Sequence, residues 1–175
     1  MNYFNYIQSA IDTADLMGVR VAVSVCQHHY NLTMIQRGEM MPHHDPKRLV
    51  AAHHVLESRD RDDLTPLAYT CLAFHDANRT GRADRKEKLA AIAAFLLECG
   101  ANPTAEVCRP IVRTHTALSH KPTYRRGKGK SVIEALEIVN LPDAVQVAIR
   151  ASALPDRVDA PAVKRIPWMC DRQAA

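Results

Sequence analysis

Nine histidines stand in this sequence, and six of them come as adjacent pairs, His28-His29, His43-His44 and His53-His54, with Cys26 just ahead of the first. Imidazoles and a thiolate make a tetrahedral zinc site when their side chains converge. Neighbours on a helix, however, point about 100° apart, so an adjacent pair is poorly placed to serve one ion. The spacings that put two ligands on one helix face, H-x-x-x-H and H-E-x-x-H, do not occur, and neither does C-x-x-C. Cys26 beside a histidine would be a nucleophile next to its base, but nothing in the sequence supplies the third group that orients the base. A cysteine in an apolar helical run reads better as a small hydrophobe, and His53 as a hydrogen-bonded histidine on a helix. On these grounds no metal, cofactor or catalytic residue is expected.

Gly127-Lys128-Gly129-Lys130-Ser131 has the flavour of a phosphate loop without its spacing, and no strand precedes it. It reads as a turn that opens a helix. Charge is the more promising chemistry. From Arg109 to Lys130 the chain carries seven basic residues, no acid, and Tyr124 among them. Arg79, Arg82 and Arg85 form a second basic group within the polar span from His75 to Lys88. Guanidinium forks suit carboxylates and phosphates, although a GC-rich genome gives the same preference for Arg over Lys. The expected protein-binding residues are therefore Arg79, Arg82, Arg85, Arg109, Arg113, Tyr124, Arg125, Arg126 and Lys128. The favoured partner is a protein with an acidic surface. Nucleic acid gripped by its phosphates through residues 109–130 is the alternative, a metal-dependent enzyme is the third reading, and a solvated insertion that binds nothing stays open.

The elements that must position these groups read as helices. The 175 residues are 47% apolar but only 5% aromatic, a mixture that favours helices packed through small aliphatic side chains. Phe4, Ile7, Ala10 or Ile11, and Ala14 give a helix over residues 3–17, with Gly18 as its stop. From Val19 to Tyr30 the valines alternate as in a strand, yet Val19, Ala22, Val23 and Cys26 also make a helical stripe. Helix is preferred, because no partner strand is in sight. After a connection over 31–44, Asp45-Pro46 opens a helix with Leu49, Ala52 and Leu56 on its apolar face. The charged run Glu57–Asp63 then reads as a surface turn.

Thr65-Pro66 opens the next helix, with Leu67, Thr70, Cys71 and Phe74 on one face. Leu89, Ile92, Ala93, Leu96 and Leu97 stripe its successor, and Gly100 supplies a left-handed cap. A long linker over 103–130 follows, then a helical opening at 129–136 and a helix over 142–151. Five scattered cysteines, with no secretory leader and no run of about 20 apolar residues, point to a soluble, reducing, cytoplasmic setting, or to delivery into a host cell without a signal peptide.

Thr65-Pro66-Leu67-Ala68-Tyr69-Thr70-Cys71 and Leu96-Leu97-Glu98-Cys99-Gly100-Ala101-Asn102 resemble the two half-motifs of an ankyrin repeat. Ala68 replaces the family's histidine, which removes a loop-bracing hydrogen bond, and roughly a dozen extra residues separate the halves, well beyond the family's period of about 33. Those residues are expected to lengthen the helices or their connection. Residues 127–152 look like a weaker repeat, and 45–63 like part of an earlier one paired with the 19–30 stretch.

The resemblance implies an all-α fold: a short ankyrin-like helical solenoid with long inter-repeat loops and an N-terminal capping helix. It would occupy residues 1–154, with 155–175 as a C-terminal extension. It also implies a non-enzymatic protein-binding module, such as a bacterial or phage effector or inhibitor. Fingers between repeats would project beside a concave groove, with no membrane contact.

Overall fold

The computed structural model describes residues 3–37, 53–60, 62–106, 111–113, 123–125, 130–138 and 140–153. The C-terminal extension, the His43-His44 pair and most of the helix expected from Asp45 lie outside them. The described chain is mostly helical: α1 Tyr3–Asp12, α2 Leu16–Gln36, α3 His53–Leu56, α4 Pro66–Arg79, α5 Ala83–Glu98, α6 Val132–Ala135 and α7 Asp143–Ala153. No helix among the described residues is long and apolar enough to cross a membrane.

The valine-rich stretch whose periodicity was ambiguous is helical. In α2, Val19, Val23 and Cys26 are fully buried while Val21 and Val25 stay about half exposed, so the alternation is a by-product of the helical stripe. Gly18 does not stop α1, because it sits in the first turn of α2. The stop is four residues earlier. Ala14 takes a left-handed φ of 52°, and the Ala14 and Asp15 N–H groups donate back to the Ile11 and Ala10 carbonyls at 2.9 and 3.0 Å. These bonds close carbonyls that the helix end would leave open.

α4 ends in the same way. Gly81 has φ 69°, and the Gly81 and Arg82 N–H groups donate to the Asn78 and Ala77 carbonyls at 3.2 and 2.9 Å. Even the preceding threonines match. Thr13 Oγ1 donates to the Ala10 carbonyl at 3.0 Å, and Thr80 Oγ1 to the equivalent Ala77 carbonyl at 3.3 Å. Thus α1–α2 and α4–α5 are helical hairpins of one kind, each turned by three residues. The extra residues before Lys88 have gone into helix length, giving α4 14 residues and α5 16, with only Thr80-Gly81-Arg82 between them.

The hairpins stack side by side. α1 packs on α4 and α4 on α6, while α2 packs on α5 and α5 on α7. One core runs between these two rows, with Phe4, Ile7, Val23, Leu67, Leu89, Ile92, Leu96 and Val145 all 1% exposed or less. The first helical pair is α1–α2; of the 45–57 segment expected to pair with part of α2, residues 45–52 lie outside the described ones. α3, the part of that segment described, is a single turn lying against α1 and α2.

Two further expectations need correction. The charged run before α4 is not wholly at the surface: Asp63 is 1% exposed. It is tolerated because Arg59 Nη1 pairs with its carboxylate at 2.9 Å, while Asp60 Oδ1 accepts the N–H groups of Asp62 and Leu64 at 2.9 and 2.8 Å. The 103–130 linker is not entirely loop, although the described chain remains mostly helical. Strands β1 Ile111–Arg113 and β2 Thr123–Arg125 pair antiparallel, with Val112 opposite Tyr124. A long excursion must partner its backbone N–H and C=O groups, and Ile, Val, Thr and Tyr suit extended backbone.

Candidate functional site

The α4–α5 turn carries the strongest concentration of usable chemistry among the described residues. Thr65 starts α4 by accepting the Ala68 N–H on its hydroxyl at 3.2 Å, with Pro66 at the first helical position. That start sets the register that brings Tyr69, Leu72, Ala73 and Asp76 to the side facing the α1–α2 turn. Gly81 then reverses the chain. Arg79 closes α4, Arg82 caps α5 and Arg85 lies in the first turn of α5. All three arginines line one open cleft of about 400 Å³, together with Asp12, Tyr69, Leu72, Asp76 and Thr80.

The wall opposite the arginines is fixed by a hydrogen bond between the two hairpins. The Tyr69 hydroxyl donates to Asp12 Oδ1 at 2.5 Å, and the Tyr69 ring meets Phe4 edge-on, with centroids 5.8 Å apart. Burial first, and then the bond to the Asp12 carboxylate, push the Tyr69 phenol above its ordinary range, while Gln8 and Arg85 pull the other way. The phenol is therefore protonated at neutral pH and serves as a donor. Asp12 keeps its negative charge while it accepts this bond, so Asp12 and Asp76 offset part of the charge of the three arginines that line the cleft. Arg79 meets Asp76 only loosely, at 3.7 Å with both side chains more than half exposed, a pair of small energetic weight. Among the described residues no carboxylate lies within ion-pair reach of Arg82 or Arg85. The cleft can therefore accept a carboxylate from outside.

The second basic group enters from the other end of α5. That helix rises about 24 Å, at 1.5 Å per residue, from Arg82 before the excursion over 106–131 begins. The neck of the excursion is closed by the Glu106–Ser131 bridge and by the Val132 N–H, which donates to the Ala105 carbonyl at 2.8 Å. Ser131 then opens α6 through a reciprocal cap, accepting the Glu134 N–H while Glu134 Oε2 accepts the Ser131 N–H at 2.9 Å. Ser131 thus opens a helix as expected of the Gly127–Ser131 run, whose residues 127–129 lie outside the described ones. Arg113 and Arg125 stand at opposite ends of the three-pair ladder, whose middle pair contains Tyr124. Arg109, Arg126 and Lys128 lie outside the described residues. Arg113 and Arg125 thus belong to the excursion that follows the C-terminal end of α5, whereas Arg82 stands at the N-terminal end of that helix.

Elsewhere several chemistry-bearing residues have structural partners, whereas the buried His75 Nδ1 has no hydrogen-bond partner among the described residues. The Cys26 thiol is fully buried and directed at the Tyr3 carbonyl at 3.9 Å. Burial pushes it up to about 11, and Cys71 up to about 12, so neither is a ready thiolate. His29 Nδ1 is held by the Tyr3 hydroxyl at 3.2 Å, and His54 lies against Tyr30 with ring centroids 5.5 Å apart. The His53 side chain lies outside the described ones. Among the described residues no three His, Cys, Asp or Glu side chains gather as a metal-ligand set.

Sequence reading named Arg79, Arg82 and Arg85 but missed Asp12 and Tyr69, which complete the cleft. The missed signal is the shared hairpin ending, Thr13-Ala14 and Thr80-Gly81. It places the α1–α2 turn beside the α4–α5 turn and so brings Asp12 to Tyr69, 57 residues away. Compared with profiles of protein families, with curated proteins and with solved structures, the chain matches none of them.

Proposed function

We propose that this chain is a non-enzymatic binding module, an ankyrin-like stack of helical pairs that recognises an acidic surface on another protein. The observation that carries this reading is the cleft between the first two hairpins, where Arg79, Arg82 and Arg85 converge with no full ionic partner among the described residues. The helices fix the backbone positions from which the three arginines reach the cleft, while docking a carboxylate must still order their side chains. Arg also forms bidentate pairs with carboxylates, which gives geometry as well as attraction. The second grip is assigned to the excursion's Arg109, Arg113, Tyr124, Arg125, Arg126 and Lys128, of which Arg113, Tyr124 and Arg125 lie on β1 and β2 and the others lie outside the described residues. The setting expected for such a module is the cytoplasm or the interior of a host cell.

The test is affinity capture from nuclease-treated lysate with three forms of the full chain. One is wild type, one carries Arg82→Glu with Arg85→Glu, and one carries Arg113→Glu, Arg125→Glu and Arg126→Glu. The expected result is a protein retained by wild type and lost from the cleft variant, with a smaller loss from the excursion variant. Capture that is unchanged in both variants overturns the reading. Capture that disappears on nuclease treatment, with a steep inverse dependence on salt, replaces it with nucleic-acid binding.

A further inference from the structure

α2 is apolar on two opposite sides. Val19, Val23 and Cys26 are fully buried against the stack, yet Met17, Val21, Val25, Leu32 and Ile35 are 46–65% exposed. The edges between these sides are already used. His29 meets the Tyr3 hydroxyl on α1, and Arg20 lies over the Phe95 ring on α5, 5.2 Å from its centre. The exposed side chains therefore form one stripe facing away from the core. A helix that is apolar all round belongs in an interior, and the end units of a helical stack need a polar outer face. Charge does not interrupt the stripe. From Leu16 to Gln36 the helix holds no acid and one Arg, Arg20, with Asp15 and Arg37 just beyond its ends. The exposed His28 lies within the stripe and the exposed Ser24 beside it.

We infer that this face of α2 is a homodimer interface, closed by α2 of a second copy of the chain running antiparallel. Val21, Val25, His28, Leu32 and Ile35 recur at intervals of four, three, four and three, and Gly18 extends the series at its start. That is the heptad spacing of a seam that packs on another helix. Two antiparallel seams set each a position across from a d position of the other helix. The layers are then Gly18 with Ile35, Val21 with Leu32 and Val25 with His28, a smaller side chain facing a larger one each time, as close packing requires. Parallel seams would set His28 against His28 and Gly18 against Gly18. The antiparallel match is reciprocal, as a two-fold contact demands. Half the accessible surface of five such side chains is roughly 400 Å², inside the roughly 300–600 Å² of the largest and often functional patches on monomers. Two copies face to face, with Ser24, His28 and intervening backbone, cover on the order of 1,000 Å², the lower bound for a specific pair. The dimer therefore forms and dissociates with concentration. None of these residues lines the arginine cleft, so the interface stands apart from the proposed function.

The test is sedimentation equilibrium of the full chain, in reducing buffer, over a wide range of concentration. Wild type is compared with Val21→Glu plus Leu32→Glu and with Val21→Glu plus Leu32→Lys. Both positions are about half exposed, and circular dichroism checks that each variant folds. If these variants lose helix, Val25→Glu with His28→Glu and Val25→Glu with His28→Lys probe the middle layer in the same way. The expected wild-type mass climbs from one chain toward two. The first variant sets carboxylate against carboxylate and should raise the dissociation constant at least about hundredfold. The second sets a carboxylate against an ammonium only when the helices run antiparallel, and should associate at least about tenfold more tightly than the first. Wild type that stays at one chain mass throughout overturns the inference and leaves the face to another protein or another segment of this chain. Dimerisation unchanged in the first variant overturns it by placing the interface elsewhere. A second variant as weak as the first overturns the antiparallel pairing.

Discussion

Asp60 and Asp63 show how much a short charged run hides. By composition Glu57–Asp63 belongs at the surface, yet Asp63 is buried with φ 65°. Arg59 holds both its carboxylate and its carbonyl, at 2.9 and 3.3 Å. Pairing of this kind depends on a backbone turn that composition does not reveal. Asp60 accepts two N–H groups, but burial outweighs them and pushes its carboxyl above the ordinary range, with the Asp62 and Asp63 charges adding to the effect. A raised carboxyl binds its proton more tightly in the folded chain than in the unfolded one. Its contribution to stability is thus fully present below the unfolded pKa of about 3.9 and is lost as pH rises through the folded value. Asparagine offers the same acceptor without the charge. Asp60→Asn should therefore melt above wild type at neutral pH, with the gap closing below about pH 4 in thermal melts across that range. A variant that melts lower at neutral pH would mean that the charge itself stabilises the turn.

At the scale of elements, the legible features were those with a local chemical cause. Thr65-Pro66 opens α4 with the hydroxyl cap expected of it. Gly100 has φ 97°, and the N–H groups of Gly100 and Ala101 return to the Leu97 and Leu96 carbonyls, both at 2.9 Å. Because nothing lies near a Cβ added at position 100, Gly100→Ala isolates the conformational cost. That cost is about 1–2 kcal/mol, a fall of roughly 2–8 °C in melting temperature at about 2–4 °C per kcal/mol, read by circular dichroism. No change would mean that the turn relaxes to another conformation. What was not legible has a different cause. Ala14 ends α1 in a left-handed conformation that favours glycine, so the stop was assigned to Gly18 instead. The β1–β2 pairing is a contact between two short segments with no turn signature between them. The length of α4 and α5 was hidden because their polar turns, from His75 to Lys88, carry no continuous apolar stripe.

At the scale of the molecule, the helices were legible and their assembly was not. The sequence pattern paired the 45–57 segment, of which only the single turn of α3 is described, with part of α2, and did not reveal that α1 and α2 form the first hairpin or that α2 packs along α5. Stacking depends on which faces meet, and several faces here are equally aliphatic. The stacking creates the candidate site: Arg79, Arg82 and Arg85 are near one another by spacing, but only the neighbouring hairpin gives them a wall, through the bond from Tyr69 to Asp12. The proposed function requires that an acidic protein surface dock into that wall-and-arginine cleft. The most direct test is calorimetric titration of the captured partner against wild type and against Arg82→Glu with Arg85→Glu, after melts establish that the variant is folded. Affinity weaker by at least about tenfold, or ~1.4 kcal/mol, is expected in the variant. Equal affinity for the two forms would contradict it.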